Sequence, residues 1–165
     1  MRKLVSRTSK LLDAVGSFLM KELAAGCEEW NGKDETLGLP AILQCHHGYC
    51  EPMNGLTVYP SLILIVQGRE SGDAFFVTYN MTIGIAIKCD DSATLVRWGE
   101  AYEDILEDVV DSDHSLGGAV LDVNGQEMNK DLSSGTYLIT LDCNVSVDRG
   151  GYVYAENEYS ADSDP

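Results

Sequence analysis

From Phe75 to Cys89 every odd-numbered position is apolar: Phe75, Val77, Tyr79, Met81, Ile83, Ile85, Ile87 and Cys89. Most even positions are small or polar: Thr78, Asn80, Thr82, Gly84, Ala86 and Lys88. Successive side chains of a strand point to opposite sides, so this period of two predicts one strand with one buried face. At about 3.4 Å per residue the run would span on the order of 50 Å, against an ordinary strand of about 5–6 residues. The expectation is a bend at Gly84 or an overhang beyond the strand's own domain.

The same odd register returns in Tyr137, Ile139, Leu141, Cys143, Val145 and Val147, with Thr140, Asp142, Asn144 and Ser146 between them. Leu62 to Val66 is apolar throughout, which suits a strand covered on both faces, by its own chain or by a neighbour. Ala119, Leu121 and Val123 open a further strand, with Asn124-Gly125 as a turn or bulge and Ser133-Ser134-Gly135 as a turn. Ala41 to Cys45 reads as a short strand. Loops are predicted at Gly26 to Thr36, at His46 to Pro60, and, with hairpin character, at Gly68 to Asp73.

Two segments carry helical spacing instead. In Thr8 to Ala25, Leu12, Val15, Leu19 and Leu23 form a stripe, widened by Leu11 and Phe18, with Lys10, Asp13, Ser17 and Lys21 opposite. Gly26 is its expected stop. After the N-cap candidates Asp90-Asp91-Ser92, a second helix runs to about Asp111 on the stripe Leu95, Trp98, Tyr102, Ile105, Leu106 and Val109. Its other face is Glu100, Asp104, Glu107, Asp108 and Asp111, with Arg97 as the lone cation. Acids in the last turn oppose the helix dipole, by up to about 1 kcal/mol per exposed charge. That face is either simply solvated or a deliberately negative surface.

The predicted fold is therefore α+β, a mixed or antiparallel sheet of 4–5 strands with two amphipathic helices packed on one face. The helices should cover the odd residues, leaving Thr78, Asn80, Thr82, Thr140, Asp142 and Asn144 on the other face. Residues 1–150 form a single domain, closed by Gly150-Gly151. Residues 151–165 form an acidic tail bearing Tyr152, Tyr154 and Tyr159, either a frayed end or an arm that docks on a neighbour.

Composition narrows the function. A chain of 165 residues that is 44% apolar can build a sizeable core. A formal charge of −16 argues against ordinary nucleic-acid binding, which depends on Lys and Arg neutralising phosphate. No apolar run approaches the roughly 18 residues of a membrane span. Met1-Arg-Lys-Leu-Val-Ser-Arg lacks the apolar core of a signal peptide, and five cysteines fit reducing synthesis better than a disulfide framework. The glycosylation triplets at Asn80 and Asn144 fall inside strands.

Cys45-His46-His47-Gly48-Tyr49-Cys50 is the densest set of metal-ligand types, but zinc sites pair two such clusters and the second is missing. A Cys–His nucleophile would need an orienting partner and an oxyanion site, and no signature of either is present. Phosphate loops and nucleophile elbows are absent too, since Gly68-x-x-x-Gly72 has no following Lys. Asp90-Asp91 reads as a cap and Glu107-Asp108 as part of the helix face. No catalytic residue, metal ligand or cofactor is expected.

Tyr59-Pro60-Ser61-Leu62-Ile63-Leu64-Ile65-Val66 is followed by a loop, the strand Tyr79–Lys88 and Asp90-Asp91. Then come the helix from Leu95 to Val110, Leu116-Gly-Gly-Ala-Val-Leu-Asp122 and the strand Tyr137–Val147. In pattern and order this resembles the tail-terminator (tail-completion or minor tail) proteins of long-tailed bacteriophages, over about Tyr59 to Val147. The region from Gly26 to Met53 and the tail depart from it.

The resemblance implies a structural protein of the virion tail or neck, made in the host cytoplasm. Its copies form a ring, usually a hexamer, that caps the tail tube and meets head-side neck or connector proteins. Genome DNA passes through without sequence-specific binding, and carboxylates in the lumen would keep it from sticking. Arg69, Glu70, Arg97, Tyr152, Tyr154 and Tyr159 are the expected contact residues, and Glu100, Asp104, Glu107, Asp108 and Asp111 the negative surface. The alternatives are another neck component (connector or stopper), a metal- or thiol-dependent enzyme using Cys45, His46, His47 and Cys50, and a monomeric acidic adaptor for a basic partner.

Overall fold

The structure, a computed structural model, describes residues 6–47, 56–70 and 75–148. Along these residues run α1 (Arg7–Lys33), β1 (Gln44–His47), β2 (Ser61–Glu70), β3 (Phe76–Lys88), α2 (Ser92–Ser112), β4 (Asp122–Ser133) and β5 (Thr136–Asp148). The strands form one sheet in the order β1-β2-β3-β5-β4. β1 is parallel to β2 and every other neighbouring pair is antiparallel. The fold is α+β with a mixed sheet, as the patterning predicts.

Both helices bury their stripes against the odd-numbered face. Leu11, Val15, Leu19 and Leu23 of α1 and Leu95, Tyr102, Ile105 and Leu106 of α2 share one core with Ile83, Ile85, Ile139 and Leu141 of the sheet. Asp91 caps α2 by accepting from the Thr94 amide at 3.0 Å.

The long strand neither overhangs nor breaks. β5 pairs with β3 without a slip from Phe76–Asp148 to Lys88–Thr136, straight through Gly84, so a partner of equal length answers the whole run. The irregularity falls on β2, between Val66 and Gly68. Met81 to Ile87 is buried at even positions as well as odd ones. Leu56 folds over Ile63 and Ala86, with Tyr59, Ile65 and Leu138 beside them, so the chain itself covers the second face of β2. Of the residues expected on the open face, Thr82 is buried and bonded to Asp142, while Thr78, Asn80, Thr140, Asp142 and Asn144 are half-buried.

Helix α1 passes its expected stop by seven residues. Gly26 lies at the crossing of the two helices, where a Cβ would come within 2.5 Å of Ile105 Cγ2. The glycine permits close approach, and the residues read as a loop, Gly26 to Lys33, are helix. The short strand is Gln44–His47, displaced from Ala41–Cys45 because its register is set by pairing Gln44 with Ser61. His46 and His47 therefore belong to a strand, not a loop. Arg69 and Glu70 likewise close β2. Ala119 to Leu121 is a turn, and Asn124-Gly125 is a bulge, with Gly125 at φ +62. No helix of the described residues is long and apolar enough to cross a membrane.

Candidate functional site

Where α1 and α2 run side by side they leave a groove with two joined chambers. The first, about 330 Å³, has Phe18, Ala25, Gly26, Ile105 and Val109 in its wall, rimmed by Glu22, Glu29, Asp108 and Asp113. The second, about 520 Å³, holds Leu37, Ala101, Asp34, Glu100 and Asp104. Glu29, Trp30 and Asp108 belong to both. Trp30 is half-buried and packs against the core.

The groove's far wall is a loop fastened to the helices. Asn31 accepts from the Leu39 amide at 2.7 Å and donates to the Leu39 carbonyl at 2.9 Å. Trp98 Nε1 donates to the Leu37 carbonyl at 2.8 Å, and the Tyr102 hydroxyl donates to the Pro40 carbonyl. Burial, reinforced by the Cys27 thiol that donates to its oxygen at 3.4 Å, pushes the Tyr102 hydroxyl well above its usual range. The Tyr102 proton therefore stays in place at ordinary pH.

Seven carboxylates line the two chambers against two cations, Lys33 and Arg97. Both cations are already engaged, Lys33 with Glu29 at 2.8 Å and Arg97 with Asp34 at 3.1 Å. No described cation forms a salt bridge with Glu22, Glu100, Asp104 or Asp108. Hydrogen bonds from Thr36, more than Arg97, hold the Asp34 carboxyl below its usual range.

The acidic face of α2 divides into two rows. Glu100, Asp104 and Asp108 recur every fourth residue and face the groove. Glu107 and Asp111 follow Glu103, which pairs with Lys130 of β4 at 3.5 Å, and line neither chamber. Arg97 is occupied by Asp34. Arg69 and Glu70 end β2 at the far end of the sheet, opposite Tyr79 and Thr78, and lie on opposite faces. Tyr152, Tyr154, Tyr159 and Cys50 fall outside the described residues.

Sequence reasoning missed Glu22, Glu29, Trp30 and Asp34 as a group, because it ended α1 at Gly26. The signal was present: Leu19, Leu23, Cys27 and Trp30 continue one stripe, and Glu29 to Lys33 is an i,i+4 ion pair.

The histidine strand has a different character. Cys45 Sγ and His47 Nε2 both turn toward α1, 3.1 and 3.2 Å from where a Gly16 Cβ would stand, and His47 Nδ1 lies 3.6 Å from Asp13. Burial, with Asp13 adding to it, pushes the Cys45 thiol up to about 11. A reactive thiol needs the opposite environment, one that favours thiolate. Cys143 is pushed up further, to about 12, again by burial first.

The open face of the sheet bears a row of asparagines, Asn80, Asn144 and Asn124, side by side on β3, β5 and β4. Gln67 and Asp142 join Asn80 and Asn144 around a shallow hollow of about 260 Å³.

No protein-family model matches the sequence, and no curated protein matches it. Among solved structures, the chain is similar to one in the "Virion of native gene transfer agent (GTA) particle". The likeness has a TM-score of 0.32 and 11% identity over 81% of this chain and 97% of that one, and at that level it establishes neither fold nor function.

Proposed function

We propose that this chain is a structural protein of a phage-like virion, a tail terminator whose copies close into a ring on the end of a tail tube. In that role it meets tube protein on one side and head-side neck proteins on the other, and it catalyses nothing. The observation that carries the reading is the pair of sheet edges left open among the described residues. β4 lies at one edge and is exposed at ten of its twelve residues. At the other edge β1 covers only Ser61 to Leu64, so among the described residues no strand flanks the outer side of β2 from Ile65 to Glu70. Unpaired edges invite strand pairing, and in a closed ring each copy could offer both and leave none open. Glu127, Lys130, Asp131 and the bulge at Asn124 on β4 are devices that discourage indiscriminate pairing, so a specific partner is required.

The test is purified protein mixed with growing tail tubes, followed by light scattering and negative-stain images. The expected result is a ring at the tube end and arrested elongation. A chain that stays monomeric on tubes and leaves elongation unchanged overturns the reading. Binding only to filled heads would move the chain to the connector or stopper class.

A further inference from the structure

Charge is unevenly divided along this chain. Residues 1–10 contain Arg2, Lys3, Arg7 and Lys10 and no acid, so all 27 acidic side chains fall in residues 11–165, with the seven remaining cations. The α1–α2 groove is the complementary surface, an apolar wall around Phe18, Trp30 and Val109 under a carboxylate rim whose two cations are already paired. The leading residues Met1-Arg-Lys-Leu-Val set two adjacent cations between apolar side chains, which is the composition such a groove receives.

We infer that the basic leading segment of one copy docks in the α1–α2 groove of the next copy, so that subunits join head to tail. This rests on the self-joining reading above and names one of its contacts. The segment does not reach the second chamber of the groove in its own chain, where Asp104 lies. Arg2 stands four residues before the N-cap Ser6, within about 14 Å of it. Trp30 and Lys33 of that chamber lie about 36 and 40 Å from Ser6 along α1, at 1.5 Å per residue. A contact between two different patches repeats from copy to copy and closes only as a ring, which agrees with the proposed assembly.

The test uses the full chain in sedimentation velocity at low salt. Arg2→Glu with Lys3→Glu, and separately Asp104→Lys with Asp108→Lys, should each weaken self-association about tenfold or more, and all four changes in one chain should restore it to within about threefold of wild type. Asp104 and Asp108 are exposed, so unchanged circular dichroism and melting will separate a lost contact from a lost fold. As a second measurement, carbodiimide cross-linking of mixed isotope-labelled and unlabelled chains should join Lys3 to Asp104 or Asp108 between copies. Full-strength association in both reversed variants, no recovery in the combined one, or no such inter-copy cross-link overturns the inference. If wild type and both reversals cap tubes equally, the ring reading stands and this contact alone falls. A chain monomeric with and without tubes removes both.

Discussion

Two glycines of α1 show how one residue type serves opposite ends. Gly26 faces Ile105 so closely that any Cβ must displace buried side-chain atoms, whereas around Gly32 there is nothing within 4 Å. Gly26→Ala should therefore destabilise by about 1–3 kcal/mol through overpacking, despite alanine's better helix propensity. Gly32→Ala should stabilise by about 0.4–1 kcal/mol by restricting the unfolded chain. Urea unfolding of both variants checks this, and a neutral or stabilising Gly26→Ala would show that the helices do not approach there. A sequence cannot tell the two roles apart, since a glycine after a helical stripe is also the commonest stop. That ambiguity hid the last seven residues of α1 and, with them, Trp30 and the groove. The strands were more legible because alternation is written at every residue: Val77 to Ile87 and Tyr137 to Val147 fall on the core face as their parity requires. What parity does not encode is who sits alongside, so β3 reads as bent at Gly84 or overhanging, whereas β5 matches it along its whole length.

At the scale of elements, α2 is a helix whose ends obey different rules. Its N-terminus is well capped. The Thr94 hydroxyl and then its amide hold the Asp91 carboxyl below the ordinary 3.8. Just beyond the C-terminus, Ser115 first and then the Gly117 amide do the same for Asp113. A depressed carboxyl contributes stability that is fully present above its ordinary value and is lost as pH falls through the folded one. Wild-type stability should thus drop as pH falls below about 4, and Asp91→Asn, which keeps the accepting oxygen without the titration, should drop less. Urea midpoints from pH 6 to 3 measure this, and parallel loss in both proteins would exclude Asp91 as a contributor. The last turn of α2 holds no basic residue, and Asp111 opposes the dipole. Asp111→Lys should stabilise by about 0.3–1 kcal/mol at low salt and by much less in 1 M NaCl. If it does so without weakening assembly, the outer acidic row is tolerated solvation. If it weakens tube capping while stabilising the fold, the row is a functional surface retained at a cost in stability. The sequence displayed all five acids of this face but not their division into a groove row and an outer row, which depends on where α1 and β4 lie.

At the scale of the whole molecule, the question is how subunits of charge −16 come together at all. Like charges spread over each subunit repel, and added salt relieves that repulsion by shortening the Debye length from about 10 Å at 0.1 M to about 3 Å at 1 M. Salt also weakens attraction between a basic segment and an acidic groove. The two effects have opposite signs, so the slope of association against salt reveals which governs. If edge pairing of β4 acts alone, repulsion is the only electrostatic contribution and association strengthens with salt. If the leading segment seats in the neighbour's groove, charges a few ångströms apart outweigh a repulsion averaged over longer, screened distances, and association weakens with salt. Wild type should therefore associate less tightly as NaCl rises from about 0.05 to 0.5 M, while Arg2→Glu with Lys3→Glu should associate more tightly over the same range, so that the two curves converge. Light scattering across a dilution series at each salt concentration measures both slopes. Two rising curves would leave the sheet edges as the bond between copies and the basic segment without a part in it. Two falling curves would place the attraction in another pair of surfaces.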